Sequence, residues 1–490
     1  MRRGCVKQII LLVQVSCFWA CGQVAQPVAK QAKVNHITRQ TVTISSSKEV
    51  SDSGLEFVPT PAKSYRMEIT DPPFSWYEQA ELIADREYLG ASFKRAGYSP
   101  PKRTFLVAGE VIKGAGQPAY RYYSLDDTAF THSEGNFWPA STVKLLAAIG
   151  ALYTLDKYGL TGAARLDFED DRGHFKGTVS TLYNSALTMS NNKAYDWLVK
   201  IAGFNEFNVE LFCADNGFPN VKLQRSYDPS ATTDFRTSPE IHYKERDLEG
   251  VIPKRSSEVT FDECPEGSNC LTLFELLDAL RRVMLHKELP KQDQFKLHRT
   301  DLIGLKRALG KSKCRVAKGA EEGLGHPIEC FNKSGWYPHS DQNDHAFIVD
   351  TITNRRYLIS QSIPHHDKDA TALEMTKLAA KTLRAVARAK RQGPVLQRNG
   401  GLKIEVFIND RGQNNETINI TTTVKGSADR LELWRNYNLV TQTQKKASTD
   451  SVSLSSQLIA PFERSLFILQ AFKGKRLVGY RSFVVSMKTT

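Results

Sequence analysis

The chain has 490 residues, of which 41% are hydrophobic and 24% charged, and its net charge is +13. These values are ordinary for a soluble globular protein of two or three domains. Lysine and arginine are spread along the chain without a long block, so the positive charge does not indicate nucleic-acid binding. Attraction to an anionic wall or membrane surface is the weaker alternative.

The first 21 residues have the pattern of a secretory signal. Positive residues between Arg2 and Lys7 precede an apolar run, and a small residue, Ala20, stands at a plausible cleavage point. The apolar run is too short for a comfortable membrane span. We therefore expect a secreted or periplasmic protein. Cleavage after Ala20 would leave Cys21 first, so a lipoprotein is the alternative, and lipidation is the only predicted route to membrane contact.

The rest of the chain divides into an arm and two domains. Residues 22–75 are rich in Ser, Thr, Lys and Pro, which predicts a tether or an irregular arm. Residues 76–392 carry both helical and strand periodicity, whereas residues 402–490 carry only the alternation of strands. The polar, basic stretch over 388–401 contains Pro394 and two glycines and is typical of a linker.

The elements of the first domain alternate between the two periodicities. In chain order, the sequence predicts a helix over 75–97, a β-hairpin over 103–124, a helix from 141, helices over 177–213 with a break near 190, a loop-rich segment over 220–265, a helix over 271–285, strands over 328–336, 345–351 and 356–362, and a helix over 370–388. We expect the two sets of strands to form one antiparallel sheet with the helical block packed beside it. The predicted fold class is α/β in the broad sense of mixed helix and sheet, with the layers of an α+β sandwich.

The C-terminal segment, 402–490, has about six short alternating strands in under a hundred residues, which predicts a small β-sandwich. It carries no obvious catalytic cluster. The sequence therefore predicts a role in attachment or recognition, by contact with the cell wall or with a protein. The alternative is an appendage that serves only folding.

The cysteines fit an exported protein. Cys264 and Cys270 bracket a short polar loop and could pair, and Cys314 and Cys330 could form a second bridge. Cys213 would then be free and buried. The absence of a Cys-x-x-Cys spacing argues against a zinc site, and the sequence predicts neither a metal nor another cofactor.

One short pattern carries chemistry. Ser141 and Lys144 stand at the head of a long apolar run, three residues apart and therefore on one face of a helix. A lysine amine there can take the hydroxyl proton if burial keeps the amine neutral. The pattern Ser-x-x-Lys also occurs at Ser45, Ser99 and Ser190, and Ser45 lies in a polar stretch. Only the copy at Ser141 has apolar residues on both sides, which favours an activated nucleophile.

Two further motifs follow in order, Ser190-Asn191-Asn192 and Lys333-Ser334-Gly335. Together with Ser-x-x-Lys they resemble the three motifs of penicillin-recognising serine enzymes, above all class A β-lactamases. The resemblance covers roughly residues 100–390 and extends to the residues that flank the first two motifs. Three motifs in order are far more specific than any one of them.

The resemblance implies a role for each motif residue. Ser141 would be the nucleophile that forms an acyl-enzyme, and Lys144 the general base or part of a proton relay. Ser190 would pass a proton to the leaving nitrogen. Asn192 would hold the side-chain amide of the substrate. Lys333 would add positive charge near the substrate carboxylate.

Three more residues complete the implied site. Ser334 would hydrogen-bond the substrate carboxylate. The oxyanion hole would consist of the backbone N–H groups of Ser141 and Trp336. A structural alternative exists for single residues: Ser190 as a helix N-cap, or Lys144 as a buried lysine paired with Asn192. These alternatives would leave the order of the motifs unexplained.

The departures from the family pattern concern the later steps of the reaction. Asn191 replaces the usual Asp, which we expect to be minor. Asp228 stands where the resemblance implies a deacylating Glu, and its side chain is one carbon shorter. The strand after the third motif lacks the usual Arg, and His345 lies nearest to that position. Residues 231–265 are predicted to be an insertion, relative to the family pattern, near the mouth of the site.

These observations predict a secreted serine hydrolase that opens the β-lactam ring through a Ser141 acyl-enzyme. The alternative is a penicillin-binding D,D-peptidase or transpeptidase that acts on peptidoglycan stem peptides, because the shorter Asp228 would slow hydrolysis of the acyl-enzyme. A third possibility is a non-catalytic wall-binding relative. The predicted substrate is thus a β-lactam or a stem peptide.

Overall fold

The computed structural model of the protein describes most of the chain beyond the predicted arm. The described residues are 65–70, 80–85, 87–112, 118–130, 133, 137–228, 235–337, 341–364, 367–389, 403–409, 417–426, 428–444, 451–459, 464–474 and 476–489. The predicted signal sequence, most of the arm and the predicted linker lie outside these residues. Within the described part of the chain, no helix is long and apolar enough to cross a membrane.

Eight α-helices lie in the described residues. They are α1 Tyr88–Arg95, α2 Lys144–Lys157, α3 Val179–Thr188, α4 Asn192–Ala202, α5 Leu273–Met284, α6 Arg299–Lys311, α7 Ala317–Leu324 and α8 Lys368–Arg388. The helices predicted over 177–213, 271–285 and 370–388 are confirmed, including the break near Ser190. The sequence did not predict α6 and α7.

The described strands fall into a group before residue 390 and a group after it, with one early strand added to the later group. The first group is β2 Ala80–Asp85, β3 Phe105–Ile112, β4 Ala119–Ser124, β5 Arg165–Asp170, β6 Gly173–Thr178, β7 Lys222–Leu223, β8 Thr237–Ser238, β9 Ile241–Glu245, β10 Leu248–Ile252, β11 Arg255–Ser256, β12 Asn269–Cys270, β13 Ile328–Trp336, β14 Asp341–Asp350 and β15 Arg356–Pro364. The second group is β1 Tyr65–Thr70, β16 Lys403–Asn409, β17 Thr417–Lys425, β18 Arg430–Arg435, β19 Asn438–Gln444, β20 Ser451–Ile459, β21 Ser465–Lys473 and β22 Arg476–Thr489.

The two predicted sets of strands form one sheet, as expected. Its strand order is β13-β14-β15-β3-β4-β2, and all neighbours are antiparallel except β2 and β4. The two sets of strands meet at the centre of the sheet, where β15 pairs with β3 and Ser360 lies opposite Val107. Side chains alternate between its two faces. Val107 lies in the core shared with the helical block, whereas Leu106 and Ala108 lie in the core under α1 and α8.

The helical block is built around α2. Leu145, Ile149 and Leu152 of this helix are among the residues that are at most 2% exposed, and burial extends around nearly its whole circumference. A helix that is apolar on all sides belongs in the interior of a protein. Helices α3, α4 and α5 contact it. The α+β class predicted from the sequence is thus confirmed.

Two predicted segments differ from the structure. The helix expected over 75–97 is shorter, because residues 80–85 form β2 and the helix is α1. A short apolar run fits either period, and the edge strand β4 offers backbone partners to an extended segment. The segment expected as loop over 220–265 contains β7 to β11, and β9 and β10 extend the β5–β6 hairpin into a four-stranded sheet.

The C-terminal strands form two sheets, β16-β17-β20 and β1-β22-β21-β18-β19. Both contribute to one apolar core, in which Ile420 and Leu454 of the first sheet meet Leu431, Phe467 and Phe483 of the second. The predicted β-sandwich is therefore confirmed. Part of the predicted arm belongs to it, because β1 pairs antiparallel with β22. The domain limits proposed from the sequence stay predictions.

Both cysteine pairings that the sequence left possible are present. Cys264 and Cys270 are joined, as are Cys314 and Cys330, with S–S distances of 2.06 and 2.05 Å. Cys213 is free and buried. The first bridge lies next to β12, whose pairing with β7 matters for the site described below.

Candidate active site

Ser141 lies on a 3₁₀ turn, Ala140–Val143, that leads directly into α2. The predicted helix therefore begins at Lys144, one residue after this turn. Ala140 has a φ of +47°, an unusual conformation for a residue with a side chain. Such strain is often found at functional sites, where the surrounding structure holds it. The turn leaves Ser141 partly exposed at the head of an otherwise buried helix.

The Lys144 amine is enclosed by oxygen atoms. Its Nζ lies 2.9 Å from Ser141 Oγ, 2.6 Å from Asn192 Oδ1, 2.5 Å from the Ser190 carbonyl oxygen and 3.3 Å from Ser190 Oγ. The residue is 0% exposed. An ammonium has three hydrogens and no lone pair. A neutral amine instead leaves a lone pair, to which the hydroxyl of Ser141 can donate.

Burial favours that neutral form. It lowers the pKa of Lys144 to about 7, and the positive charge of Lys333 acts in the same direction, whereas Asp196 opposes it. A base with a pKa near neutrality accepts a proton from a hydroxyl far more readily than ordinary lysine, which is almost fully protonated. The predicted role of Lys144 thus has a physical basis in its surroundings.

The second motif lies between α3 and α4. Ser190 has a φ of +58°, which turns its hydroxyl and its carbonyl oxygen toward Lys144. The N-cap of α4 is Asn191, whose Oδ1 accepts a hydrogen bond of 2.8 Å from the N–H of Ala194. The alternative reading of Ser190 as a helix cap is therefore wrong. Asn191 supports the loop, as the sequence predicts.

Lys333 brings the third motif to the same place. Its Nζ lies 3.1 Å from Ser190 Oγ and 2.9 Å from the carbonyl oxygen of Ser334. Burial lowers the pKa of Lys333 to about 8, Asp344 opposes this shift, and Arg315 adds to it. Ser190 Oγ is therefore within hydrogen-bond distance of both lysines. The three motifs converge in one connected polar network.

Gly335 sets the approach of β13 to the serine turn. A Cβ on this residue would lie 2.7 Å from the carbonyl oxygen of Pro139 and 3.0 Å from the backbone nitrogen of Ser141. Only glycine allows this contact. The next residue is Trp336, which is 43% exposed. Because Gly335 lies against the Ser141 nitrogen, the backbone N–H groups of Ser141 and Trp336, which are predicted to form the oxyanion hole, lie on adjoining segments. Ser334 is half-buried on the same strand.

His345 lies directly across from Lys333 in the pairing of β13 and β14. It is 1% exposed, and burial, with Lys333 adding to the effect, lowers its pKa to about 3. The imidazole is therefore neutral and supplies no positive charge to a substrate carboxylate. Its role in substrate binding stays a prediction.

The loop that carries Asp228 is held by Asp196, a residue that the sequence motifs do not include. The Asp196 carboxylate accepts hydrogen bonds of 2.9 and 3.0 Å from the N–H groups of Tyr227 and Asp228, and one from the Ser226 hydroxyl. It also pairs with Arg172 at 3.4 Å. Asp196 lies four residues after Asn192 on α4, the spacing of one helical turn, and that spacing was the available signal.

Asp228 itself is half-buried, and its backbone is fixed by the contact to Asp196. The neighbouring Tyr227 ring lies 6.0 Å from Lys144 Nζ, so this loop borders the polar network. The residues over 229–234 lie outside the described part of the chain. The predicted role of Asp228 in deacylation stays a prediction.

Solved structures resemble this chain over most of their own length. They are class A β-lactamases and PBP-A. The TLA-1 extended-spectrum β-lactamase has 12% identity and a TM-score of 0.43, with 62% of this chain and 99% of that chain covered. A variant of the last common ancestor of Gram-negative class A β-lactamases has 18% identity and a TM-score of 0.41, with 61% and 97% covered. PBP-A has 12% identity and a TM-score of 0.42, with 64% and 98% covered.

The likeness to these proteins is one of fold alone. No family model and no curated protein matches the chain. The roles of Ser141, Lys144, Ser190 and Lys333 stay predictions, and the contacts given above are compatible with them. In the described residues, no group of three or more His, Cys, Asp or Glu side chains could hold a metal ion.

The two lysines predict a narrow pH optimum for acylation of Ser141. Below pH 7 the Lys144 amine is protonated, so the acylation rate constant should fall about tenfold per pH unit. Above pH 8 Lys333 loses its charge, so an anionic substrate should bind more weakly. A pH profile of acylation checks both limbs. The maximal acylation rate constant and the half-saturating substrate concentration are measured separately at each pH.

The variant Lys333→Arg is the control for the alkaline limb. Arginine stays charged throughout this range, so the weakening above pH 8 should disappear while the acid limb stays near pH 7. An acid limb that moves with Lys333→Arg instead would contradict the assignment of that limb to Lys144.

The variant Gly335→Ala tests the approach of β13. The added methyl group would push the strand away from the Ser141 nitrogen, and we expect acylation to slow by about 10²-fold, the effect of losing one oxyanion donor. Gly90→Ala on α1 is the matched control, because its Cβ would meet nothing within 4 Å. Equal rates for Gly335→Ala and wild type would show that the contact is unimportant.

Proposed function

We propose that the protein is a serine hydrolase of the β-lactamase and penicillin-binding superfamily, which acts through an acyl-enzyme on Ser141. The observation that carries this proposal is the 2.9 Å contact between Ser141 Oγ and the buried amine of Lys144, whose pKa is lowered to about 7. A nucleophile within reach of a neutral base is the first requirement of acyl transfer.

The proposed acylation uses the network as follows. Ser141 Oγ attacks the carbonyl carbon of a β-lactam, and its proton passes to Lys144 Nζ. The oxyanion is stabilised by the N–H groups of Ser141 and Trp336. When the carbon–nitrogen bond breaks, the Ser190 hydroxyl protonates the leaving nitrogen. Lys144 returns its proton to Ser190 over their 3.3 Å contact, so no net proton is gained or lost.

Substrate binding is proposed for the residues around this path. Asn192 would orient an amide of the substrate, and the charge of Lys333, with the hydroxyl of Ser334, would hold the carboxylate. One of the solved structures that resembles the chain is a point mutant of PBP-A as an acyl-enzyme complex with penicillin G. We infer that a penicillin also acylates this protein.

Two fates of the acyl-enzyme separate the candidate functions. With Asp228 as the base for water, the acyl-enzyme is hydrolysed and the protein is a β-lactamase. If the shorter carboxylate cannot activate the water, the acyl-enzyme persists, as in a D,D-peptidase that acts on peptidoglycan stem peptides. The aspartate in place of glutamate favours this second candidate, whereas the residues that flank the first two motifs favour the first.

The proposed location is outside the cytoplasm. The predicted signal sequence supports a secreted or periplasmic protein, or a lipoprotein anchored through Cys21. A cell-wall or protein contact through the C-terminal β-sandwich is proposed on composition alone, because that domain offered no catalytic motif.

A labelling experiment tests the proposed function. The protein is incubated with a fluorescent penicillin and with a chromogenic cephalosporin, beside Ser141→Ala and the exposed-serine control Ser453→Ala. We expect covalent label on the wild type and on the control, and none on Ser141→Ala. Label that survives Ser141→Ala, or no label and no hydrolysis in the wild type, would contradict the proposal and favour a non-catalytic wall-binding relative.

The substitution Asp228→Glu distinguishes the two fates. A longer carboxylate should bring the base closer to the attacking water, so loss of the acyl label should accelerate by about 10²-fold if a general base is being restored. The acylation rate should stay unchanged, because Asp228 takes no part in that step. Equal deacylation of wild type, Asp228→Glu and Asp228→Asn would show that Asp228 is not the base.

A further inference from the structure

The β18–β19 hairpin of the C-terminal sandwich ends in an unusual turn. Its two tip residues, Asn436 and Tyr437, have φ values of +48° and +70°. Two residues with positive φ are typical of a tight hairpin turn, but a bulky tyrosine is rarely found in one. The conformation therefore requires support from neighbouring contacts. Asn436 has such contacts within the sandwich, since it exchanges two hydrogen bonds with the backbone of Leu466.

Tyr437 has its contacts in the other part of the molecule. It is 1% exposed, its hydroxyl donates a hydrogen bond of 2.8 Å to the carbonyl oxygen of Gly217, and its ring lies 5.0 Å from the ring of Phe274 on α5. It is counted in the same apolar core as the helical block. The hairpin tip is thus inserted between α5 and the segment that begins at Gly217.

Asn220 extends this junction. Its backbone N–H and side chain donate to the buried carboxylate of Glu275, and its Nδ2 also reaches the carbonyl oxygen of Asn436 at 3.4 Å. Glu275 completes the capping box of α5 with Thr272, so it is fixed in place. Asn220 therefore lies between a rigid helix end and the hairpin tip.

Two ion pairs flank the same junction. Arg464 pairs with Asp215, and Arg435 lies 3.8 Å from Glu263. Each joins a base of the sandwich to an acid of the preceding domain, Asp215 or Glu263. Because apolar, hydrogen-bonded and charged contacts occur together, the hairpin is seated in one defined position rather than resting on the surface.

The segment that starts at this junction leads directly to Asp228. Residues 222–223 form β7, which pairs with β12, and the Asn269 side chain of β12 accepts hydrogen bonds of 2.9 Å from the N–H groups of Gln224 and Arg225. The next three residues are held by Asp196. The segment 217–228 is therefore fixed at one end by the hairpin tip and at the other by α4.

We propose that the hairpin tip is a support of the active site, in which Tyr437 and Asn436 are positioning residues for the segment 217–228 and hence for Asp228. They touch neither substrate nor the reacting atoms. The C-terminal sandwich then contributes to the reaction itself, in addition to any attachment role. The kinetic consequence rests on the proposed function, whereas the structural consequence does not.

Hydrogen exchange on the full-length protein tests the structural consequence. In Tyr437→Ala, the amides of 217–228 should exchange about tenfold faster than in wild type, because a buried hydrogen bond and ring packing are lost. The amides of α2 should be unchanged. Tyr437→Phe, which removes only the hydroxyl, should give a smaller acceleration in the same segment and serves as the informative variant if Tyr437→Ala does not fold.

Phe483→Leu is the matched control. Phe483 is 0% exposed in the core of the sandwich, in the same sheet as the hairpin, and its replacement removes volume away from the junction. It should leave exchange over 217–228 at the wild-type rate. Unchanged exchange in both Tyr437 variants, or equal acceleration in Phe483→Leu, would overturn the proposal.

Labelling kinetics provide the second readout. Acylation by a fluorescent penicillin should keep its wild-type rate in Tyr437→Phe, while loss of the label should slow severalfold, because Asp228 is the only residue of the segment to which the proposed reaction gives a role. If the wild type takes no label, the proposed function fails, and hydrogen exchange alone decides whether the hairpin supports the segment. Equal slowing of acylation and deacylation would contradict the positioning role.

Discussion

The burial of the Lys144 amine is the constraint around which the rest of the site is arranged. A lysine with no exposed surface needs oxygen atoms around it, and here two motifs distant in sequence supply them. The positive φ of Ser190 and the cap formed by Asn191 serve this enclosure, since they turn the Ser190 carbonyl oxygen inward. The cost of desolvation also lowers the pKa of the amine, so that near neutral pH much of it is uncharged and able to accept a proton.

The sequence predicted the site best where one local pattern decides both structure and chemistry. The apolar run after Ser141 determines a buried helix, and a buried helix with a polar first residue leaves Lys144 few possible contacts. Asp196 escaped prediction because it looks like one more polar residue on an amphipathic helix. Its importance depends on the N–H groups of Tyr227 and Asp228, which reach it only after the intervening chain has folded.

The fold, like the site, could be predicted from the sequence where a local pattern decides the structure. Long periodic helices and alternating strands were identified, and the two disulfides are pairings that the sequence allowed but did not determine. Contacts between residues that are distant in the sequence were not predicted, because no local pattern encodes them. The insertion of Tyr437 beside Phe274 and the pairing of 65–70 with β22 depend on surfaces that exist only in the folded chain. The strand β2 was wrongly predicted as helix because its local pattern is ambiguous: its few residues fit the periodicity of a helix or of a strand.

The pairing of β1 with β22 has a consequence for the order of assembly. During synthesis β1 appears before every other described element, and its partner appears after all of them. Such distant pairing is slow to form, and until it forms β22 is the exposed edge of its sheet. The β18–β19 hairpin belongs to the same sheet. The fifth strand of this sheet can therefore be added only after residues 484–489, which pair with β1, have been synthesised.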